Sequence, residues 1–415
     1  MDLNSIIQAV QRGKDWLLRD QITEATKTYD MLDWEKGDDE PWHEIPTPTY
    51  LVGAYYANLV RNDPRAVRAN EVRRQYYNTW HTAQAGVALL EYLDYDDDPA
   101  VRNSVDLAWR FIDRQQIKEG PFKGVFVEAG PEKLKFPLED RFSFGHTSAY
   151  AVNSYASYDN IETDLFPLEL YRRTKDERYL KVACDNAVFF LEHKPQYVFM
   201  QVETKNFSIS GMTNDAVYGR LAEYTGEPRF LDTFIKQIQR LNELGLDLRA
   251  QNNIRNMYWD ASALMYAVDQ VPQMFGLAMA KLAFLAEHTL FAQKESGVLW
   301  FRYKSPGVPD GDHERTQDGA ATYAMIRVWG KMYDQTGDRR WLNAIRKAVG
   351  FALTQQYPDD YGPEFAGAFE YAGVVEYKGH KYESLRDIST IFALRGLLPL
   401  LTGECKWVED FWKCP

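Results

Sequence analysis

Apolar residues recur at three- and four-residue spacing through most of the chain, and a short signature interrupts the recurrence at intervals. The clearest copies are "TKDERYL" (174–180), "TGEPRFL" (225–231), "TGDRRWL" (336–342) and "TGECKWV" (402–408), with looser copies "NDPRAVR" (62–68) and "DDDPAVR" (96–102). Each follows a stretch such as "MTNDAVYGRLAEY" and precedes one such as "FIKQIQRLNEL". A Gly or Lys lets the first helix end, and Asp, Glu or Pro opens the second at its positive N-terminus. The pattern predicts helical hairpins at about 48–77, 78–116, 159–195, 212–243, 260–290 and 318–356, with a further helix pair near 385–412. Of the six, only the fifth lacks a clear turn signature.

A hairpin with one apolar stripe cannot bury itself, so several must pack side by side. Open solenoids such as tetratricopeptide arrays repeat at about 34 residues, whereas the turns at 174 and 225 lie 51 residues apart and aromatic loops of uneven length separate the hairpins. Uneven loops on one side favour a closed ring whose inner helices share a funnel. The expected fold is all-α: an (α/α)6 barrel, or (α/α)7 if the last pair is counted, forming a single catalytic domain over residues 1–415. "KEGPFKGVFVEAGPEKLKFPLEDRFSFGHTSAY" (118–150) is the longest insert, and its Gly-aromatic alternation predicts a short β hairpin over the mouth.

Composition narrows the partners. With 45% hydrophobic and 26% charged residues the chain can bury a sizeable core, and a formal charge of -12 without basic clusters repels a phosphate backbone, so nucleic acid is not an expected partner. Cys184, Cys405 and Cys414 have neither CxxC spacing nor suitably spaced histidines. No disulfide framework, metal site or cofactor is implied. The start, "MDLNSIIQAVQRGKDWLL", lacks a signal-like apolar core, and no run approaches the roughly 18 apolar residues of a membrane span. The expectation is a soluble cytoplasmic protein, or an exported one whose leader is absent from this chain, with no membrane partner.

Over residues 48–356 the hairpin pattern resembles the six-hairpin α/α-barrel carbohydrate-active enzymes, most of all the unsaturated glucuronyl hydrolases. "LAWRFIDRQQIKEGPFKGVFVEAG" is similar to that family's helix followed by a Gly-Gly-Phe strand, and "YDNIETDLFPLELYRRTKDERYL" to its Asp-x-x-x-Asn-x-Pro-Leu-Leu helix ending in Thr-Gly-Asp. The second likeness implies an acid/base role for Asp159. The chain departs from the family where the partner aspartate is expected: "NTWHTAQAGVALL" offers Trp80, His81, Thr82 and Gln84 but no carboxylate, and Thr163 stands in place of the motif's Asn. "RAQNNIRNMYWDASALMYA" (249–267) is similar, less closely, to the Asn-Asn-His-x-Tyr-Trp segment of alginate lyases, with Asn252, Asn253, Tyr258 and Trp259 in place but no histidine.

Glycoside hydrolysis needs one group to protonate the leaving oxygen and another to attack or activate water, tasks two carboxyls can share. Four acids fall where inner helices should start: Asp159, Asp215, Asp260 and Asp318. Each is also where an N-cap would fall, a role that stabilises a helix by roughly 1 kcal/mol with no catalysis. Aromatic neighbours favour Asp159, beside Tyr158, and Asp260, beside Tyr258 and Trp259. His81, His146 and His313 lie at similar positions; a histidine there could abstract the proton α to a uronate carboxyl, with a tyrosine as acid, which is β-elimination. Arg386 in "YESLRDISTIFALRG" could clamp a carboxylate, or pair locally with Glu383 or Asp387. Trp42 and Trp300 lie in loops, as sugar subsites or as plugs onto the core. "DYDDD" (94–98) belongs to an outer turn and reads as a solvated turn.

The leading expectation is an enzyme cleaving glycosidic bonds in uronic-acid-containing oligo- or polysaccharides as a hydrolase, with Asp159 as acid/base. Asp260, Asp318 or Asp215 would be the second carboxyl, and Trp80, His81, Gln84, Asn253, Trp259, Trp300 and Arg386 would hold the carbohydrate. A polysaccharide lyase using His146 or His81 with Tyr258 is the second expectation. A non-enzymatic helical-repeat binding module is the third.

Overall fold

The computed structural model describes residues 1–29, 44–47, 49–61, 72–75, 79–127, 141–143, 154–199, 214–244, 254–300, 303–305, 308–309, 317–371, 374–377, 380–403 and 405–413. The main helices are α1 (Leu3–Asp20), α2 (Thr79–Leu93), α3 (Pro99–Gln115), α4 (Ser157–Glu162), α5 (Leu165–Thr174), α6 (Glu177–His193), α7 (Val217–Thr225), α8 (Pro228–Leu244), α9 (Ile254–Gln270), α10 (Phe275–Ala292), α11 (Gly319–Thr336), α12 (Arg339–Thr354), α13 (Asp387–Leu397) and α14 (Lys406–Lys413). The contacts divide into two packing units. The first holds Trp16–Pro195 and Gly373–Ile388, the second Met1–Asp15, Gln196–Ala372 and Ser389–Pro415.

The repeated signature works as its residues dictate. Thr174, Thr225 and Thr336 each return a hydroxyl hydrogen bond to the carbonyl four residues back, and each accepts the amide of the residue two ahead. The residue between lies in the left-handed region: Lys175 at φ 57°, Gly226 at 71°, Gly337 at 69°. Asp176 and Asp338 then cap the next helix by accepting from Arg178 and Arg340 amides. In "DYDDD" Asp98 caps α3 through the Ala100 amide, and Asp94 pairs with Arg173 at 2.6 Å, so this run is a charged outer turn. The copy at 402–408 departs, because Gly403 has φ −76°.

These turns join hairpins α2–α3 and α5–α6 in the first unit, and α7–α8 and α11–α12 in the second; α9–α10, also in the second, turns through Pro272 instead. Two expected hairpins are corrected. Residues 49–61 and 72–75 form no helical pair: Thr49–Leu51 is a single 3-10 turn, and Asn58–Arg61 and Val72–Gln75 are antiparallel strands. Asn58–Arg61 also pairs with His380–Arg386, which pairs in turn with Val374–Tyr377, so distant segments make a four-stranded sheet that local periodicity could not announce. Near the C-terminus, α13 packs against α1 rather than against α14. A Cβ on Gly13 would come within 3.2 Å of Leu394, and one on Gly396 within 2.4 Å of the Tyr323 carbonyl of α11. Helix α14 lies instead on α11 and α12, where Tyr333 bonds Asp410 and Asp334 accepts the Trp407 amide. Most of the insert at 118–150 lies outside the described residues; in the described part Phe126 pairs antiparallel with Gln116 across a tight turn, and Arg141–Ser143 pairs in parallel with Ser154–Ala156.

A second repeat, invisible as a sequence period, fixes the segment that leads from an outer helix to the next inner one. Gln21, Gln116, Gln293 and Gln356 follow α1, α3, α10 and α12. Each amide donates twice: to a glycine carbonyl further along the chain (Gly53, Gly124, Gly297, Gly367) and to a carbonyl of the neighbouring outer helix (Ser104, Val182, Ala344, Ala9). The four glycines have φ between 88° and 102°. A Cβ on any of them would lie within 2.6 Å of a backbone oxygen of the adjacent helix, so a side chain is excluded twice over. Two residues after each glycine, Tyr55, Phe126, Leu299 and Phe369 pair back to their glutamine and donate their amides to Thr82, Asn160, Thr322 and Thr390 on or beside the inner helices.

Asp164, between α4 and α5, is fully buried and accepts from Asn186 Nδ2 at 3.0 Å. Burial pushes its carboxyl well above the ordinary value, against the pull of Asn186. A folded-state pKa above the unfolded one means that this group's contribution to stability is present below about pH 3.9 and is lost, by up to about 1.4 kcal/mol per unit, as pH rises toward the folded value. Asp164→Asn removes the proton equilibrium, so it is expected to flatten this loss; urea midpoints at about pH 5 and about pH 8 should converge in the variant relative to the parent.

Among the described residues one helical stretch, Pro272–Ala292, is long and apolar enough by length and composition to cross a membrane. It packs on α9 and α11 through Ala278, Leu282, Leu285 and Ala286 and exposes Phe275, Phe284 and Phe291.

Candidate functional site

The first unit brings three chain segments together at helix termini. Helix α2 opens with Thr79, Trp80, His81 and Thr82, all buried in its first turn. Short helix α4 ends at Glu162, fully buried, whose Oε2 accepts Trp80 Nε1–H at 2.6 Å, while Thr163 bonds Thr79 at 3.3 Å. The strand His380–Arg386 runs directly into α13, and its pairing with Asn58–Arg61 sets Arg386 opposite Asn58 and Glu383 opposite Arg61, with an ion pair of 3.5 Å at the latter rung. That register delivers Arg386 and Asp387 to His81. His81 Nδ1 lies 2.6 Å from Asp387 Oδ1, and Arg386 Nη2 lies 3.3 Å from His81 Nε2.

A guanidinium can only donate, so Nε2 is the acceptor and the ring proton sits on Nδ1, facing Asp387. The Ile388 amide also donates to Asp387 Oδ1, at 2.7 Å. Burial drives the Asp387 carboxyl well above its usual range, opposed by Arg386 and that amide. The Trp80 ring stands edge-on to His81 at 4.8 Å. The arrangement therefore holds a histidine in one tautomer between a carboxyl and a guanidinium, beside a second carboxyl fixed by an indole.

Of the sequence-derived candidates, Trp80, His81 and Arg386 thus meet, and Gln84 is buried one turn further along α2. Asp159 occupies the third position of α4, three residues before Glu162, so it is inside a helix rather than at its N-cap; its side chain lies outside the described residues, as do His146, Asn252, Asn253, His313 and Trp42. Glu162 was missed because it lies within the motif that directed attention to Asp159. Its only sequence signal was that proximity. Asp387 had been weighed only as a local partner of Arg386.

The second unit holds the other acids. Asp318 caps α11, accepting from the Ala321 amide at 2.9 Å, as expected of an N-cap. Asp260 is not a cap: it is the seventh residue of α9 and fully buried. Asp215 sits at φ 50° and accepts the Ser262 hydroxyl. Tyr258 and Trp259 are buried with their rings edge-on to Phe392 at 5.2 and 6.0 Å, so they are core residues of this unit and not free platforms. Trp300 is partly exposed and carries the Lys294 ammonium 3.8 Å above its ring. Among the described residues no group of three or more His, Cys, Asp or Glu is arranged to hold a metal ion.

No family model matches the sequence, and no curated protein matches it. Solved structures do match in fold. An α-mannanase of glycoside hydrolase family 76 from Bacteroides thetaiotaomicron superposes with a TM-score of 0.59 at 13% identity, over 96% of this chain and 95% of that one. An unsaturated glucuronyl hydrolase specific for heparin gives 0.58 at 10% identity, over 99% and 98%. A cellobiose 2-epimerase from Bacillus thermoamylovorans gives 0.58 at 10% identity, over 95% and 99%. The fold is therefore the all-α barrel of helical hairpins that the turn signatures predicted.

Proposed function

We propose that this chain is a carbohydrate-active enzyme that cleaves glycosidic bonds in uronic-acid-containing oligo- or polysaccharides by hydrolysis, with Asp159 as proton donor. The observation that carries the reading is the convergence of Trp80, His81, Glu162, Arg386 and Asp387 at the starts of α2 and α13 and the end of α4. Two carboxyls with an arginine and an indole are the side-chain types that protonating a glycosidic oxygen and holding an acidic sugar require. Asp159 and Glu162 stand one turn apart on α4, which makes Glu162 the second carboxyl of this reading in place of Asp260 or Asp318.

A second reading has its own support. His81 and Arg386 are in contact at 3.3 Å, which places a base next to the group that would neutralise a uronate carboxylate, the pair β-elimination needs. One assay separates the two: a panel of uronate glycans followed for reducing-end release and for ultraviolet absorbance. Reducing ends without a new chromophore support hydrolysis. A rising absorbance from the unsaturated uronate supports elimination, and neither signal on any uronate glycan removes both.

A further inference from the structure

The glutamine–glycine repeat has a residue position directly after each glutamine and another directly after the paired Tyr55, Phe126, Leu299 or Phe369. In the first unit these positions hold Ile22 with Tyr56 and Ile117 with Val127, all buried. In the copy beginning at Gln293 they hold Lys294 and Trp300, both partly exposed. A cation has replaced an apolar residue and an indole sits beside it. The Lys294 ammonium lies 3.8 Å above the Trp300 ring, and no carboxylate among the described residues is within ion-pair distance of it. The acid it senses is Glu370, which occupies the equivalent of the Trp300 position in the next copy; Glu370 Oε1 is taken by Gln317 Nε2 at 2.7 Å. Burial works against both charges, lowering the Lys294 pKa and raising that of Glu370.

We infer that Lys294 and Trp300 form a binding station for the carboxylate-bearing ring of an acidic saccharide, the ammonium pairing with the carboxylate and the indole face covering the ring's C–H face. This deepens the uronate reading given above and rests on it for the ligand class. A half-buried ammonium held over an aromatic face is partly stripped of water and gains from an anion, whereas a neutral sugar offers it nothing comparable. Glu370 is engaged by Gln317 through Oε1, and burial raises its pKa.

The test is calorimetric binding to the intact protein of uronate trisaccharides and of the same trisaccharides with their carboxyls reduced to alcohols. The parent is expected to prefer the acidic form, Lys294→Gln to lose that preference by about tenfold, the value of one charge-assisted hydrogen bond, and Lys294→Arg to retain it. Trp300→Ala should weaken both forms and Trp300→Phe should restore much of the loss. Equal affinity of parent and Lys294→Gln for the acidic trisaccharides, or no binding by the parent, overturns the assignment. The outcome is separable from the reaction: a parent that binds acidic trisaccharides through Lys294 but cleaves none retains this station and loses the proposed reaction. An enzyme that cleaves them with an unchanged KM in Lys294→Gln does the reverse.

Discussion

Asp159→Asn is expected to lower kcat on an acidic oligosaccharide by about two to four orders of magnitude, the range of a general-acid contribution, while the urea midpoint stays close to that of the parent. The separation of the two effects follows from α4. This helix is only six residues long, Ser157–Glu162, so its own propensity cannot hold it in place. Its anchors among the described residues are the Trp80–Glu162 bond at 2.6 Å, Asn160 bonded to both the amide and the carbonyl of Phe126, and Thr163 against Thr79. Asn at 159 keeps the shape and a polar acceptor but cannot deliver a proton as a carboxylic acid can. A variant that turns over normally, or one that loses activity only in proportion to lost folded protein, would sink the proton-donor role. Glu162→Gln is the companion variant, since glutamine's amide oxygen can still accept from Trp80; a comparable fall in kcat with stability retained would mark Glu162 as the second carboxyl.

What could be read from the sequence divides along a physical line. The Thr-Gly-Asp turns were legible because every group they use lies within a few residues: Thr336 reaches back to Met332, Gly337 takes the left-handed conformation, and Asp338 caps forward to Arg340. The glutamine staples obey equally strict chemistry and were not legible. Gln293 reaches Gly297 four residues on, but Gln21 must reach Gly53, so no fixed period exists for a self-comparison to find. The same argument covers the misread segment at 48–77, whose strand Asn58–Arg61 is made by pairing with Glu383–Arg386 at the far end of the chain. It also covers helix α13, whose neighbour Gly13 lies at the opposite terminus.

For the candidate site, residue types and helix starts were visible in advance while partnerships were not. His81 and Arg386 were both singled out, yet His81 and Asp387 stand 306 residues apart, and nothing local to either says that they meet. Tyr258 and Trp259 failed in the opposite sense. Their aromatic company suggested a sugar platform, but in a helix of period 3.6 the same residues fall on the face packed against Phe392.

Asp387→Ala is expected to cost about 3–5 kcal/mol of stability, because removing one partner of a buried charged pair leaves the others without compensation. His81 and Asp387 are both wholly inaccessible to solvent and Arg386 nearly so. Without the carboxyl, the His81 Nδ1 proton and the Ile388 amide lose their shared acceptor at 2.6 and 2.7 Å, and the Arg386 guanidinium loses the neighbouring acid that offsets its charge. Water cannot enter to replace them without opening the start of α13 and the sheet rung at Arg386. Asp387→Asn isolates the polar geometry from the charge: its oxygen can still accept both the Ile388 amide and the His81 Nδ1 proton, which share Oδ1 in the parent, so most of the stability should return, whereas it carries no negative charge to offset Arg386 or to raise the basicity of His81. Stability measured by urea denaturation should therefore rank parent, Asn, Ala, with Asn much nearer the parent. Activity should fall in both, and in Asn it should fall further than its folded fraction explains. An alanine variant within about 1 kcal/mol of the parent would mean that this network is not the dry, mutually dependent cluster its burial indicates.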